Sequence, residues 1–241
     1  MPATELFQRF RCRPLDPAAL PPYVGFALQY FRTPEKIAAP ELSCCLQLDL
    51  SAADEVYRRY FAATPGASLT AYLTWRMLQA QVLVQSFLWR WIAGAWHHMA
   101  DPPLFFPVAT GTANTFRHVA LEQVVAAEWT DFSQRYRAGV DAALAEPLQA
   151  AAIDPDLYRN ACFIGNLPYL AFTSLGLHRH PDPSGRTVAY FGKRQEADGR
   201  LTCPLALQFD HATTDPYQVN RLIETYLGLL VDSSLAGRPS P

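Results

Sequence analysis

Charged residues are scarce in this sequence: Asp, Glu, Lys and Arg make up 17% of its 241 residues, and the formal net charge is -2. A nucleic-acid-binding surface needs an excess of basic residues, so we expect no nucleic-acid partner. Long apolar runs are also missing, because the most apolar window, residues 82–96, is interrupted by Gln85, Arg90 and Gly94. That window is too short to cross a bilayer, so we expect no membrane partner.

Paired cysteines are missing as well, because the five cysteines form no CxxC motif. They are Cys12, Cys44, Cys45, Cys162 and Cys203. Free thiols are typical of a reducing compartment. The first residues, MPATELFQRF, also lack the apolar stretch of a signal peptide. We therefore expect a cytoplasmic protein.

Clusters of metal ligands are not evident. His97 and His98 are adjacent, so on a strand they would point to opposite faces. His178 and His180 precede Pro181, in a segment that we predict to be a loop. We expect no metal ion and no tightly bound cofactor.

Hydrophobic residues make up 50% of the sequence, which is enough for a sizeable core. Strand-like and helix-like segments are interspersed without strict alternation, and the late strands are joined by hairpin-sized turns such as residues 196–199. This pattern predicts an α/β fold in which helices pack on a mixed β-sheet. We expect one domain over residues 1–232, with an arm and short helices in residues 1–42, and a disordered tail over residues 233–241.

Periodicity and punctuation by Gly and Pro place the individual elements. Helices are predicted at about residues 22–30, 51–63, 69–84, 131–145 and 216–230. Strands are predicted at about residues 43–50, 86–91, 104–109, 116–122, 160–165, 170–177, 187–193 and 201–210.

The stretch from residue 201 to residue 230 combines a predicted strand, a polar turn and a predicted helix. Leu205, Leu207 and Phe209 alternate with smaller or polar residues, which predicts a half-buried strand. The turn that follows carries Asp210 and His211 in a dense polar cluster. A histidine at a strand end is firmly held and accessible, which suits a general base.

Asp215, in the same turn, has two interpretations. Because Pro216 follows it and Gln218 stands three residues on, it is a typical N-cap of the last helix. His211 would then be an ordinary strand-end histidine. In the alternative, Asp215 also orients His211, so that one imidazole nitrogen can take a proton from a substrate hydroxyl. The turn alone leaves both interpretations open.

Four blocks of the sequence resemble chloramphenicol acetyltransferases and follow that family's order. They read CCLQLDLSAADEVYRRY, FIGNLPYLAFTSLGL, AYFGKRQEADGRL and CPLALQFDHATTDPYQV. The resemblance covers roughly residues 43–232 and is most specific from residue 163 onward. We interpret the chain as a divergent member of this family. The resemblance implies a two-layer α/β sandwich, a homotrimer, and active sites between neighbouring subunits.

The resemblance also implies acyl transfer from a thioester, with acyl-CoA as a possible co-substrate. The second histidine of the family's HHxxxDG motif is the base, which gives that role to His211, and Asp215 holds the motif in shape. The first histidine is replaced by Asp210, and a carboxylate beside the base would change its pKa or its hydrogen bonds. Lys193 matches a Gly-Lys position near the cofactor's phosphates, although an exposed surface lysine would suit the position equally.

Other positions depart further from the family pattern. The serine that stabilises the oxyanion aligns with Gly165, so a hydroxyl donor is lost. A threonine near the tetrahedral centre aligns with Tyr190, whose phenol could replace it at longer reach. The family's Asp pairs with an Arg, and none stands at the aligned residues 23–25. The general base of the family pattern is therefore present, while several residues around it differ from that pattern.

Aromatic residues are frequent around the implied pocket. They are Phe105, Phe106, Phe116, Tyr158, Tyr169 and Phe172. Together with Tyr190 and Gly165 they favour a large apolar small-molecule substrate, although each aromatic would also suit core packing.

Three functional hypotheses follow. The first is an acyltransferase that moves an acyl group from CoA or a carrier protein to a hydroxyl or amine of an apolar small molecule in secondary metabolism. The second is a cofactor-independent cyclase, isomerase or lyase acting on a natural-product intermediate, with His211 or Asp210 as acid or base. The third is a non-catalytic binding or assembly subunit.

Overall fold

A computed structural model describes residues 2–33, 35–110, 116–145, 154–179 and 184–234. The helices are α1 (Ala3–Arg9), α2 (Pro22–Tyr30), α3 (Ser51–Val56, continued by a π-helical turn at Tyr57–Phe61), α4 (Leu69–Leu83), α5 (Trp129–Ala145), α6 (Pro155–Asn160) and α7 (Pro216–Val231). Short 3-10 turns lie at Pro17–Ala19 and Gln85–Leu88. The strands are β1 (Cys12–Pro14), β2 (Glu41–Asp49), β3 (Trp89–Ile92), β4 (Ala95–Met99), β5 (Leu104–Ala109), β6 (Phe116–Leu121), β7 (Cys162–Asn166), β8 (Val188–Phe191), β9 (Gln195–Ala197) and β10 (Arg200–Asp210).

The strands of the described residues form two sheets. A seven-stranded sheet has the order β2-β10-β8-β7-β5-β6, with β9 paired to β10, and a three-stranded sheet has the order β1-β4-β3. The large sheet is mixed, because β7 pairs in parallel with both β5 and β8 while the other pairs are antiparallel. Residues 1–42 therefore contain a strand, β1, in addition to the arm and short helices that we predicted.

Buried residues lie on both faces of the large sheet, and residue alternation assigns each side chain to one face. Phe106, Ile164 and Ala189 belong to the main core with the helices, whereas Phe105 and Phe163 belong to a smaller cluster on the other side. The main core also takes the apolar stripe of α7, which is Val219, Leu222, Tyr226 and Leu230. The face that carries the smaller cluster, opposite the main core, holds most of the candidate substrate-binding residues.

The predicted half-buried character of β10 is wrong. Leu205, Leu207 and Phe209 are buried as expected, but the alternating residues Gln208 and Asp210 are buried too. Helix α6 and Leu177 supply partners for this second face, since Leu157, Tyr158 and Leu177 pack there. Because those partners come from elsewhere in the chain, the local alternation could not predict them.

The predicted strand at residues 170–177 is also wrong, because this segment is irregular. Its backbone is held by isolated hydrogen bonds instead of a ladder. The Gln47 side chain donates to the Phe172 carbonyl at 2.9 Å, and Lys193 N–H donates to the Leu170 carbonyl at 2.8 Å. Single hydrogen bonds to separate parts of the chain do not form the regular ladder of a strand.

Local patterns located several other elements well. The helix predicted at residues 22–30 and the strand predicted at residues 104–109 coincide with α2 and β5. Helix α4 begins at the predicted residue 69 and is capped by Ser68, whose side chain accepts from Ala71 N–H at 3.1 Å. The predicted strand at residues 86–91 begins as a 3-10 turn, and β4 was not predicted. The single-domain boundary at residue 232 stays a prediction, and residues 235–241 of the expected tail lie outside the described residues.

Arg90 connects the small sheet to the large one. Its guanidinium is fully buried and donates to the carbonyls of Asn160 at 3.0 Å, Phe87 at 2.9 Å and Gly185 at 3.1 Å. Burial lowers the pKa of Arg90, since the charge has left water. These bonds fix the segment of residues 184–187 against β3, which shapes one of the cavities described below.

No helix in the described parts of the chain is both long enough and apolar enough to cross a membrane.

Candidate active site

The turn after β10 is fixed by the backbone and side chain of Asp210. The Asp210 carbonyl accepts from Thr213 N–H at 3.1 Å and from Thr214 N–H at 3.0 Å. Its carboxylate Oδ1 accepts from Ala212 N–H at 2.9 Å. Three hydrogen bonds to one residue make residues 210–214 a closed turn whose geometry is set by local bonding.

His211 is half-buried in this turn and is held on several sides. Its backbone N–H donates to the Pro40 carbonyl at 2.9 Å, and its ring packs on Phe31 with 4.2 Å between the ring centroids. Nδ1 lies 3.2 Å from the Thr214 carbonyl oxygen. Because a carbonyl can only accept, this contact places the ring proton on Nδ1. Nε2 then carries the lone pair, as a general base requires.

A cavity of about 470 Å³ opens beside His211. Its walls come from α2, the end of α4, the 3-10 turn that follows, the 211–215 turn and the first turns of α7. Apolar side chains such as Leu20, Val24 and Trp89 line it, with Gln85 and Arg221 among its polar groups. A pocket of this size that mixes apolar walls with a few polar groups is typical of a small-molecule site.

Asp215 lines the same cavity and caps α7. Its side chain accepts from Gln218 N–H at 2.8 Å, and Pro216 begins the helix, so the N-cap interpretation is correct. No hydrogen bond between Asp215 and His211 is present among the described residues. A second role of Asp215 in orienting His211 stays a prediction.

Replacing Asp215 by Ala should lower the free energy of unfolding by about 1 kcal/mol, because α7 loses its cap. Asp215→Asn should keep the stability, since Asn is an equally good N-cap residue without the charge. Chemical denaturation of both variants measures this difference. If Asp215→Asn folds as stably as the parent yet loses activity, the negative charge acts on the site beyond capping.

Asp210 faces away from the His211 cavity. Its carboxyl is 1% exposed and lines a separate small chamber with Glu41, its cross-strand partner on β2. Burial raises the pKa of Asp210 from 3.8 to about 6; the Ala212 N–H and Arg32 oppose this rise, and Glu41 adds to it. Since Asp210 and His211 line different cavities, the structure places Asp210 as the residue that fixes the turn.

A second pocket of about 300 Å³ lies on the face of the sheet opposite the main core. Three predicted substrate-binding residues, Phe105, Tyr158 and Tyr190, meet there, and Phe116 also lines it. Phe105 and Tyr158 form an edge-to-face pair with ring centroids 5.0 Å apart. We call this the aromatic pocket.

Other candidates lie elsewhere. Tyr169 is 90% exposed, and Phe172 is buried against Gly192, where an added Cβ would meet the Phe172 ring at 2.7 Å. Phe106 faces the main core and stacks on Tyr136. Lys193 is exposed just after β8 and lines neither of the two larger pockets. Their functional roles stay predictions.

The Tyr190 ring, which lines the aromatic pocket, lies directly against Gly165. They are partners in the parallel β7–β8 register, and a Cβ at Gly165 would lie 2.4 Å from Tyr190 Cε1. Real side chains do not approach so closely, so glycine at 165 is what allows the Tyr190 ring to cover this position. Burial raises the pKa of the Tyr190 phenol, so it stays a hydroxyl donor near neutral pH.

Gly165→Ser should therefore lower the free energy of unfolding by about 1–3 kcal/mol, the usual cost of overpacking. Combining it with Tyr190→Thr should recover most of that loss, because the smaller side chain vacates the space. A double-mutant cycle measures the coupling. Gly176→Ser is the matched control, since nothing lies within 4 Å of a Cβ there. Additive effects of the two substitutions would contradict the mutual fit.

Sequence reasoning missed four residues that line the aromatic pocket, namely Phe163, His118, Pro107 and Leu167. His118 stacks on Phe105 with centroids 5.3 Å apart, and burial lowers its pKa. The available signal was alternation, since Phe163 stands two residues before Gly165 on β7. His97 and His98, on β4, form no cluster of three metal-binding side chains with other described residues. His180 lies outside the described residues.

No protein-family model matches the chain, and no curated protein sequence matches it. Solved structures do match it. A chloramphenicol acetyltransferase superposes with a TM-score of 0.75 at 17% identity, covering 91% of this chain and 99% of that chain. The truncated catalytic core of the 2-oxoacid dehydrogenase multienzyme complex from Thermoplasma acidophilum gives a TM-score of 0.61 at 14% identity, covering 92% and 99%.

A probable dihydrolipoamide acetyltransferase from Listeria monocytogenes 4b F2365 is similar with a TM-score of 0.59 at 11% identity, covering 95% of this chain and 97% of that chain. At identities this low, the superpositions establish the fold alone. The chain has the α/β fold of chloramphenicol acetyltransferase, which confirms the predicted fold class.

Proposed function

We propose that the chain is an acyltransferase that moves an acyl group from a thioester to a hydroxyl or amine of an apolar small molecule, with His211 as the general base. The observation that carries the proposal is the state of His211. The Thr214 carbonyl fixes its tautomer, and the ring stands beside a cavity of about 470 Å³. The chloramphenicol acetyltransferase fold supports the same reaction class by analogy.

In this proposal His211 Nε2 takes the proton of the acceptor's hydroxyl as that oxygen attacks the thioester carbonyl carbon. The C–S bond then breaks, and the departing thiolate receives the proton from the imidazolium. The Thr214 carbonyl, which accepts from Nδ1–H, stabilises the imidazolium between these steps. A thioester is activated enough that one base with proximity and oxyanion stabilisation suffices. We assign the oxyanion donor to the Tyr190 phenol, because Gly165 carries no hydroxyl.

We further propose a homotrimer in which His211 of one copy faces the aromatic pocket of the next. The lining residues of the His211 cavity and of the aromatic pocket have no member in common, so one copy holds the two halves apart. Light scattering after size exclusion tests the assembly. Co-refolding His211→Ala with a His118→Trp variant tests the sharing, because His118 is an exposed residue that lines the aromatic pocket and a larger ring there would fill it. Interfaces that pair two intact halves should restore about a quarter of the activity.

The acyl donor in this proposal is CoA or a carrier protein's phosphopantetheine, which binds as a co-substrate. Gln85, Gln218 and Arg221 line the His211 cavity and can hydrogen-bond the amides of such a donor. Lys193 remains a candidate partner for its phosphates.

Calorimetry with CoA, followed by free-thiol release from acetyl-CoA in the presence of apolar alcohols and amines, tests the function. Micromolar CoA binding and His211-dependent thiol release are expected. A protein that neither binds CoA nor turns over carrier-bound thioesters, yet converts an apolar substrate without any acyl donor, would instead be a cofactor-independent cyclase, isomerase or lyase.

A further inference from the structure

A small polar chamber lies behind the aromatic pocket. Its volume is about 20 Å³, and its walls include Glu41, Arg159, Ser184, Arg186, Gln208 and Asp210. A space of this size holds one water-sized group. It lies at the end of the β2–β10 pair, where Asp210 stands directly opposite Glu41.

Two carboxylate oxygens in this chamber accept no well-formed hydrogen bond from the described residues, although the Gly185 N–H lies near enough to Asp210 to lower its pKa. Asp210 Oδ2 and Glu41 Oε2 are buried without a hydrogen bond, although their side chains are only 1% and 7% exposed. Arg186, which also lines the chamber, makes its contacts elsewhere. Arg186 Nη1 donates to the Tyr158 carbonyl at 2.9 Å, and its guanidinium lies 4.4 Å from the Tyr158 ring centroid. Buried acceptors without donors are costly, so a donor at this point would stabilise the site.

A third cavity, which we call the neck, shares lining residues with both the chamber and the aromatic pocket. The neck has a volume of about 10 Å³ and shares Tyr158, Phe163 and Tyr190 with the pocket. It shares Arg186 and Gln208 with the chamber. The three spaces therefore follow one another along the sheet, and the water-sized neck suits a single alkyl chain rather than a ring.

The length of this path follows from strand register. Tyr190 pairs with Ala206 on β10, and Asp210 stands four residues farther along that strand. At about 3.3 Å per residue the chamber lies about 13 Å from the aromatic pocket. A ligand that reaches both ends must have an apolar body and an extended tail.

We infer that this chamber is an inner subsite that binds a terminal hydroxyl on the tail of a substrate whose apolar body fills the aromatic pocket. A hydroxyl fits because the unpaired atoms are acceptors and the space is water-sized. An ammonium group fits less well, because Arg159 and Arg186 line the same chamber and would repel a second positive charge. The inference rests on the proposed function in one respect, which is that the aromatic pocket receives the acyl acceptor.

The test is a binding comparison in the complete protein with no acyl donor present. Phenylhexanol, phenylhexyl fluoride and phenylhexylamine share the ring and the chain length and differ in the terminal group. Calorimetry should show the alcohol binding about tenfold or more tightly than the fluoride, as expected for a hydrogen bond to a charged acceptor. The amine should bind more weakly than the alcohol.

Two substitutions locate the effect. Glu41→Gln and Asp210→Asn keep the shapes of the side chains, and each should reduce the preference for the alcohol over the fluoride to about threefold or less. Asp49→Asn, at the opposite end of β2, is the matched control and should leave the preference unchanged. Thermal unfolding checks that each variant is folded, and Glu41→Gln carries the test if Asp210→Asn is not.

Equal binding of the alcohol and the fluoride would overturn the inference and leave a chamber that holds water. Tighter binding of the amine, or a preference that survives both substitutions, would overturn it as well. These outcomes are separable from failure of the proposed function, because they require no turnover. Loss of thioester transfer in His211→Ala together with equal probe affinities would refute the subsite while the acyltransferase stands.

Discussion

His211→Ala should lower kcat/KM for acyl transfer by about 10²–10⁴-fold, the usual contribution of a positioned general base. The alanine variant cannot accept the proton of the attacking hydroxyl, and Thr214 loses the ring that its carbonyl orients. The free energy of unfolding should change by about 1 kcal/mol or less, since the imidazole is half-buried and packs mainly on Phe31. Thiol release under steady-state conditions measures the first quantity, and chemical denaturation measures the second.

His98→Ala is the matched control for this experiment. His98 is also half-buried, but it stands on β4 and lines neither of the two larger pockets. Its substitution should leave kcat/KM within about threefold of the parent. A His211→Ala protein that is folded and keeps more than about a tenth of the parent's activity would exclude His211 as the base.

The position of His211 was predictable because its signals are local. Alternation in β10, the polar turn and the Asp215 cap all lie within a short stretch, and each follows from the chemistry of neighbouring residues. The state of His211 was not predictable. Its ring packs on Phe31 and its backbone N–H donates to the Pro40 carbonyl, and both partners are far away in the sequence. Distant contacts of this kind leave no periodic trace.

The aromatic pocket was half predictable for the same reason. Gly165 and Tyr190 were recognised as departures from a family pattern, one smaller and one larger than the residue replaced. The small residue compensates for the large one because the two are partners in the parallel β7–β8 register, and a single sequence does not reveal that register. Phe163 and His118 were overlooked because an aromatic residue on a strand is usually a core residue. The side to which Asp210 points was available from alternation alone, since adjacent residues near a strand end face opposite ways.

Asp210→Asn should become increasingly stabilising as the pH rises. A carboxyl whose folded pKa is raised stabilises the fold fully below the unfolded value, and this stabilisation is lost as the pH rises through the folded value. For Asp210 these values are 3.8 and about 6, which corresponds to about 3 kcal/mol. The gain of the Asn variant over the parent should therefore grow between about pH 4 and pH 6 and level off above, reaching at most about 3 kcal/mol.

The substitution isolates the charge because an asparagine oxygen can still accept from Ala212 N–H, so the turn that holds His211 is kept. Urea unfolding at several pH values measures the difference between variant and parent. Asp49→Asn is the control, because hydrogen bonds from Ser51 and Arg200 lower the pKa of Asp49 to about 2. The pH-dependent effect of Asp49 lies below pH 4, so the stability difference between Asp49→Asn and the parent should be flat between pH 4 and pH 8. A flat difference for Asp210→Asn would mean that Asp210 is ionised at no cost, because Arg32 and the arginines of the chamber offset both its burial and the repulsion from Glu41.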